Sequence, residues 1–217
     1  MRISNLPVIL VGSGGHALVL LDVLRASGYQ VLGVVDPKLA TQGTAEWRGL
    51  PVLGDDASVS RYAPDTILLA NGIGNLPGQT KRAEVYERFC QQGYQFVTVV
   101  HPTAMIASGV TLHQGVQIMA GAILQPDVVV GENTLINAGC IIDHECAIGA
   151  HCHLSLGVTL SCRVTMGIGC HAGAAASVVQ GCQIGDYAVL GAGTALRVNL
   201  PAASRLLDVR QQEISKE

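Results

Sequence analysis

With 217 residues and a formal net charge of −3, the chain has room for one large or two small domains and no basic run to hold nucleic acid. Charged residues make up 13% and aromatics 4%, against 26 glycines, which describes a compact, aliphatic, glycine-rich protein. No stretch approaches the roughly 18 apolar residues of a membrane span. The apolar core of the opening MRISNLPVILVGSGG is too short for a signal peptide, so seven unpaired cysteines point to a cytoplasmic chain.

In chain order, Val8-Ile9-Leu10-Val11 reads as a short buried strand ending in Gly12-Ser13-Gly14-Gly15-His16. An amphipathic helix is expected from Ala17 to Ala26, with Ser27-Gly28 as its stop, then a strand from Val31 to Val35 that reaches Asp36. A third strand, Thr66 to Leu69, leads into Ala70-Asn71-Gly72-Ile73-Gly74-Asn75. A helix from about Lys81 to Gln92 and a strand from Gln95 to Val99 follow. Strands alternating with helices predict a parallel sheet with ligands at the strands' carboxyl ends.

Gly12-x-Gly14-x-x-Ala17 matches the dinucleotide fingerprint, and Asp36 lies at the distance of a ribose acceptor. Glycines there let backbone N–H groups approach a diphosphate, and the helix N-terminus adds about half a positive charge. A tight turn without a ligand gives the same pattern. A whole dinucleotide needs two βαβαβ halves, and only one fits before the period changes near residue 100. A mononucleotide or a nucleotide-sugar diphosphate suits this half-Rossmann unit, residues 1–101, better than NAD.

From Ile106 to Ala195 the chain repeats every six residues. The first position runs Ile106, Leu112, Ile118, Leu124, Val130, Ile136 and onward to Leu190, interrupted only by the small Ala172. The fifth position, from Val110 to Thr194, is always small or β-branched. This period fits neither helix nor ordinary strand. It fits a parallel β-helix in which three hexads complete a triangular turn, so fifteen hexads make about five coils stacked about 4.8 Å apart. Residues 102–217 are assigned to it. Cys140, Cys146, Cys152, Cys170 and Cys182 fall on the fifth position and are expected to be buried fillers rather than zinc ligands. Cys162 falls on the third position, facing outward. His101, His113, His151 and His171 read as surface or interface residues, with His171 stacked one coil beyond His153.

The V-G-S-G-G-H loop, the A-N-G-I-G-N loop and the hexads carrying Asp143-His144-Glu145 together resemble one bacterial sugar O-/N-acyltransferase family. It includes the UDP-4-amino-sugar N-acetyltransferases of bacillosamine synthesis and the sialic-acid O-acetyltransferases, and the resemblance covers roughly residues 7 to 200. It implies a left-handed β-helix, acetyl-CoA as co-substrate, and a homotrimer with active sites between subunits. In the stretch N-A-G-C-I-I-D-H-E-C-A-I-G-A-H-C-H it implies His144 as general base, His153 on the acetyl-CoA thioester and Asn137 at the substrate. It further implies Gly12, Ser13, Gly14 and His16 near the phosphates, with Asp36 and Lys38 near the nucleoside.

Two departures from the family pattern stand out. Cys162 occupies a position where the family often has glycine, so its backbone N–H is what remains for the thioester oxygen. The G-x-P-A-K ending is replaced by Leu200-Pro201-Ala202-Ala203-Ser204-Arg205, which leaves Arg197 and Arg205 as candidates for the coenzyme phosphates.

An amine attacks a thioester only as the free base, and a neutral histidine can take the proton released as the C–N bond forms. Glu145 orients His144 provided that the turn puts both side chains on one side. The expected activity is therefore direct N-acetylation of an amino group on a nucleotide-linked deoxysugar, without a metal, in surface-glycan or glycoprotein synthesis. Sugar O-acetylation, a β-helix zinc enzyme built on His153 and His171, and a non-catalytic nucleotide-sugar-binding scaffold stand as alternatives.

Overall fold

The computed structural model describes residues 6–207. The chain forms two compact units. One runs to Pro102 and takes in His113–Gln117; the other comprises Thr103–Leu112 and the chain from Ile118 onward. Residues 113–117 thus keep the hexad phase yet group with the first unit. No helix among the described residues is long and apolar enough to cross a membrane.

The first unit is an open α/β sheet. Strands β1 (Val8–Val11), β2 (Val31–Val35), β3 (Glu46–Trp47), β4 (Leu50–Gly54) and β5 (Leu68–Asn71) lie in the order β3-β4-β2-β1-β5. All pairs are parallel except β3–β4. All four β1 residues are buried, as a strand covered on both faces must be. Helix α1 (Gly15–Ala26) buries Ala17, Leu20, Leu21, Val23 and Leu24 on one face; α3 (Lys81–Gln91) buries Val85, Tyr86 and Phe89. Tyr86 and Phe89 join Tyr94 and Phe96 in an aromatic-rich core against β1 and β5. Gly33 permits the β2–β4 pairing, since a Cβ there would lie 2.6 Å from the Pro51 carbonyl oxygen.

The third expected strand is displaced by two residues, to Leu68–Asn71. The strand expected over Gln95–Val99 is reduced to a bridge between Leu69 and Phe96 and a short pair at Val99–Val100. Helix α2 (Pro37–Thr41) and the β3–β4 hairpin were not expected. Pro51 and Gly54 hide β4 from a pattern search, because both are poor strand residues away from sheet edges.

The second unit is the parallel β-helix. Its two-residue strands pair with those one turn on, as Ile123 with Ile141 and Leu124 with Ile142. One face runs from Met105–Ile106 to Ala195–Leu196 and a second from Thr111–Leu112 to Gln183–Ile184. The third carries Leu135–Ile136, His153–Leu154, His171–Ala172 and Val189–Leu190. Ile118, Leu124, Val130, Ile136, Ile142, Leu154 and Leu160 are wholly buried inside the prism, each contributing about 1.5–3 kcal/mol.

The five repeat cysteines are buried and reduced. Four of their thiols donate to the carbonyl fifteen residues on: Cys140 to Ser155 at 3.0 Å, Cys146 to Ser161 at 3.1 Å, Cys152 to Gly167 at 3.0 Å and Cys170 to Gly185 at 3.1 Å. The fifth position therefore holds a small apolar group that also satisfies a wall carbonyl.

Each corner of the prism turns through one left-handed residue at the fourth hexad position. It is glycine at Gly109, Gly115, Gly121 and Gly139, but Asp127, Asn133, Glu145, His151 and Arg163 at others. This position ordinarily favours glycine or asparagine.

Candidate active site

In the first unit, β1 and β5 end beside each other and their loops interlock. Gly12 has φ +92°, and a Cβ there would press on Ile73 at 3.3 Å; a Cβ on Gly72 would lie 2.9 Å from the Ala17 side chain and the Val11 carbonyl oxygen. Gly14 caps α1 without any side-chain hydrogen bond, and the first turn carries no acidic residue. The helix N-terminus thus carries neither a side-chain cap nor a carboxylate, an arrangement suited to an anion.

Asp36 is the hub of this region. Its Oδ2 accepts from the Ser13 N–H at 2.9 Å and the Ser13 hydroxyl at 2.7 Å; its Oδ1 accepts from the N–H groups of Lys38 at 2.8 Å and Leu39 at 3.0 Å. Those four bonds fill the acceptor sites a carboxylate offers. Partial burial pushes its pKa up, but the Ser13 hydroxyl and the three N–H groups outweigh that and hold it below the usual carboxylate value. Asp36 thus ties the glycine loop to α2. Lys38 is exposed on that short helix.

A second network lies behind the β5 loop. The wholly buried Arg82 of α3 donates through Nη1 to the carbonyls of Asn71 at 2.9 Å and Ile73 at 2.7 Å. Burial lowers its pKa to about 9, still high enough for a charged guanidinium at neutral pH. Asn71 Nδ2 donates back to the Arg82 carbonyl at 3.0 Å, and Asn71 Oδ1 accepts from the Ile73 N–H at 3.2 Å. Gln117 donates its Nε2 to the Asn71 carbonyl at 2.9 Å and meets His16 Nε2 through Oε1 at 2.7 Å. Because the Asn71 oxygen only accepts, the Gln117 amide has one orientation, and His16 must carry its proton on Nε2.

In the second unit His144 and Glu145 occupy one prism corner. The Asp143 carboxylate accepts from the His144 backbone N–H at 2.8 Å. Glu145 takes the left-handed conformation, φ 59°. That turn brings His144 Nδ1 within 2.9 Å of Glu145 Oε2, with both side chains about half exposed. Cys162, one coil on, comes beside them: ligand atoms of Asp143, His144 and Cys162 all lie within 4.8 Å of one another. The Cys162 backbone N–H donates to no group among the described residues.

His153 opens a strand on the third face, so it and the His144 corner lie on different sides of the coil. Its ring meets that of His171 edge-on, centroids 4.8 Å apart. His171, expected at a surface or interface, is only 8% exposed; burial first, and the neighbouring His153 second, push its pKa down to about 4. Asn137 is half buried, and its side-chain oxygen accepts from the Ala138 N–H at 2.8 Å. Arg197 and Arg205 are exposed near the last coil.

The structure therefore assembles Gly12, Ser13, Gly14, His16 and Asp36 around one loop, and His144, Glu145 and Cys162 at one corner. Sequence reasoning missed Asp143, Arg82, Asn71 and Gln117 as parts of these sites. The D-H-E triplet was a usable signal for Asp143. An arginine in the first turn of a helix gives none.

A hexad prism bearing a carboxylate-oriented histidine, in one chain with a half-Rossmann unit, defines a hexapeptide-repeat transferase with an α/β N-terminal domain. Family models agree: the PglD N-terminal domain matches residues 7–89 and the bacterial transferase hexapeptide, in six repeats, matches residues 109–144. A UDP-N-acetylbacillosamine N-acetyltransferase of Bacillus subtilis (strain 168) is 34% identical over 115 residues, 52% of this chain. That alignment spans about half, 51%, of the relative's own length.

Among solved structures, PerB from Caulobacter crescentus, in complex with CoA and GDP-perosamine, is 30% identical with a TM-score of 0.85, covering 96% of this chain and 97% of that one. The acetyltransferase domain of PglB from Neisseria gonorrhoeae FA1090 shares the fold at 24% identity and a TM-score of 0.87, over 94% of this chain and 97% of that one. The chain belongs to the bacterial sugar acyltransferase family that joins a PglD-type N-terminal domain to a left-handed hexapeptide β-helix.

Proposed function

We propose that the protein transfers the acetyl group of acetyl-CoA to the amino group of a nucleotide-linked amino-deoxysugar, of UDP-4-amino-sugar or related type. The observation that carries this reading is the His144 Nδ1–Glu145 Oε2 pair at an open corner of the prism. Glu145 engages Nδ1, which leaves Nε2 as the atom that takes the proton. The amine nitrogen attacks the thioester carbon, its proton passes to His144, and the C–S bond breaks to release CoA. No acyl-enzyme is needed.

The Cys162 N–H supplies a donor for the developing oxyanion, and His153 contacts the thioester. Arg197 serves the coenzyme phosphates, and Asn137 contacts the sugar. In the first unit, Gly12, Ser13, Gly14 and His16 hold the diphosphate at the α1 N-terminus. Lys38 and Asp36 serve the nucleoside side, Asp36 chiefly by shaping the loop, since its acceptor sites are filled. The complexes of the Caulobacter relative with CoA and GDP-perosamine support the two-substrate arrangement.

His144 sits at a corner and His153 on a face of the same coil. A trimer, in which one subunit's face meets its neighbour's corner, brings such groups to a shared site. We assign the protein to the cytoplasm and to surface-glycan or glycoprotein synthesis, where acetyl-CoA and nucleotide sugars are both at hand.

Steady-state kinetics with acetyl-CoA over nucleotide-linked 4-amino and 3-amino sugars tests the reading. It expects CoA release matched by an N-acetylated product. Turnover on a sugar hydroxyl with none on any amino sugar would replace it with O-acetylation.

A further inference from the structure

The corner that holds His144 carries a donor set that acetyl transfer does not use as a set. Asp143, His144 and Cys162 are each half buried, and each offers one ligand atom within 4.8 Å of the others. The three are a carboxylate oxygen, an imidazole nitrogen and a thiol sulfur. Glu145 engages Nδ1 of the imidazole, and a carboxylate on one ring nitrogen orients a metal-ligating histidine through the other. Asp143 spends one oxygen on the His144 N–H, and its second makes no hydrogen bond among the described residues. The Cys162 thiol makes no hydrogen bond among the described residues.

We propose that this corner binds one zinc ion, and that the ion inhibits transfer rather than supporting it. The inhibitory half of the proposal rests on His144 being the base; the binding half does not. A mixed sulfur, nitrogen and oxygen set suits zinc better than magnesium or calcium, which prefer oxygen alone. Tetrahedral zinc at about 2.0–2.3 Å from each ligand needs donors about 3.5 Å apart, so the set closes by about an ångström through side-chain rotation. Asp143 and His144 share one turn, and Cys162 comes from the next coil, so no backbone rearrangement is required. Binding forms a Zn–S bond and releases the Cys162 thiol proton to solvent. It also occupies the imidazole lone pair that would accept the amine's proton. The fourth position stays open to water.

The test titrates chelator-stripped full-length protein with zinc against a chromophoric zinc indicator, and follows acetyl transfer in parallel. One zinc per chain is expected, with inhibition at the same midpoint and full recovery on adding EDTA. Cys162→Ser and Asp143→Asn should each weaken binding by about ten-fold or more, while Cys90→Ser, at a half-buried cysteine of the first unit, should leave it unchanged. Absence of stoichiometric zinc, or binding that survives both corner substitutions, overturns the site. Stoichiometric binding without inhibition overturns the inhibitory role. The base assignment stands or falls separately, on the metal-free kinetics of His144→Asn.

Discussion

Glu145 Oε2 lies 2.9 Å from His144 Nδ1 although the two residues are neighbours in sequence. Neighbours on a strand point to opposite faces, so the contact depends on the left-handed conformation of Glu145, φ 59°. A non-glycine residue in that region costs of order 1 kcal/mol. Here it places a carboxylate on the imidazole, and the same turn aims the Asp143 carboxylate at the His144 N–H.

Replacing Glu145 with Gln should therefore lower kcat while leaving both KM values within about two-fold. A loss of about ten-fold is expected, the scale on which groups supporting a functional histidine act. Glu145→Gly would relieve the backbone strain and still lose the orienting carboxylate. It should be at least as stable as the parent by thermal melting, and as slow as Glu145→Gln by kinetics.

The hubs behind the glycine loop should respond in substrate binding rather than in chemistry. Asp36→Ala removes two hydrogen bonds from the glycine loop and two from the start of α2, and Arg82→Met removes the donor to two carbonyls of the β5 loop. Each should raise KM for the nucleotide sugar by about ten-fold or more, equivalent to about 1.4 kcal/mol. KM for acetyl-CoA should stay unchanged. Arg82→Met should also lower stability by about 1–3 kcal/mol, read by urea unfolding, because the part-buried Ile73 carbonyl loses its donor while the Asn71 carbonyl keeps its bond from Gln117. Arg82→Lys, which restores one donor, should recover part of both losses.

Burial of His171 makes stability depend on pH in a definite direction. Its pKa is lowered from 6.5 to about 4, so between these values the unfolded chain binds more protons than the folded one. The stabilisation is complete above pH 6.5 and is lost as pH falls toward 4. Thermal melts of the parent and of His171→Gln over pH 4–7 should differ in slope, the parent falling more steeply on the acid side.

The repeat cysteines should be inert. Cys140 and Cys146 have thiols pushed up to about 11 by burial, and all five are shielded within the wall. A thiol reagent should label only the half-buried Cys90 and Cys162 in the native protein, and all seven cysteines after denaturation. Saturating acetyl-CoA should protect Cys162 and leave Cys90 reactive.

The prism was legible because a six-residue period fixes which side chains point inward, from Ile118 to Leu190. Its phase also marked Cys162 as an outward thiol. The geometry of the His144–Glu145 contact was not legible, since it hangs on a backbone conformation that most residues avoid and that no pattern announces. In the first unit, the fingerprint located Gly12, Gly14 and Asp36, yet Asp36 turned out to be saturated by Ser13, Lys38 and Leu39. Arg82 and Gln117 were invisible for a different reason. Gln117 meets residues 46 and 101 positions away, Asn71 and His16, while Arg82 reaches back 9 and 11 positions from α3 to the β5 loop, and local composition carries no trace of either.

The most direct test is acetyl transfer by His144→Asn in metal-free buffer, with nucleotide-sugar binding followed separately by calorimetry. Loss of a general base predicts a fall in kcat of about 10²–10⁴-fold with the nucleotide sugar bound as tightly as by the parent. Retention of kcat within a few-fold of the parent would contradict His144 as the base, and with it the account of this corner as the reacting centre.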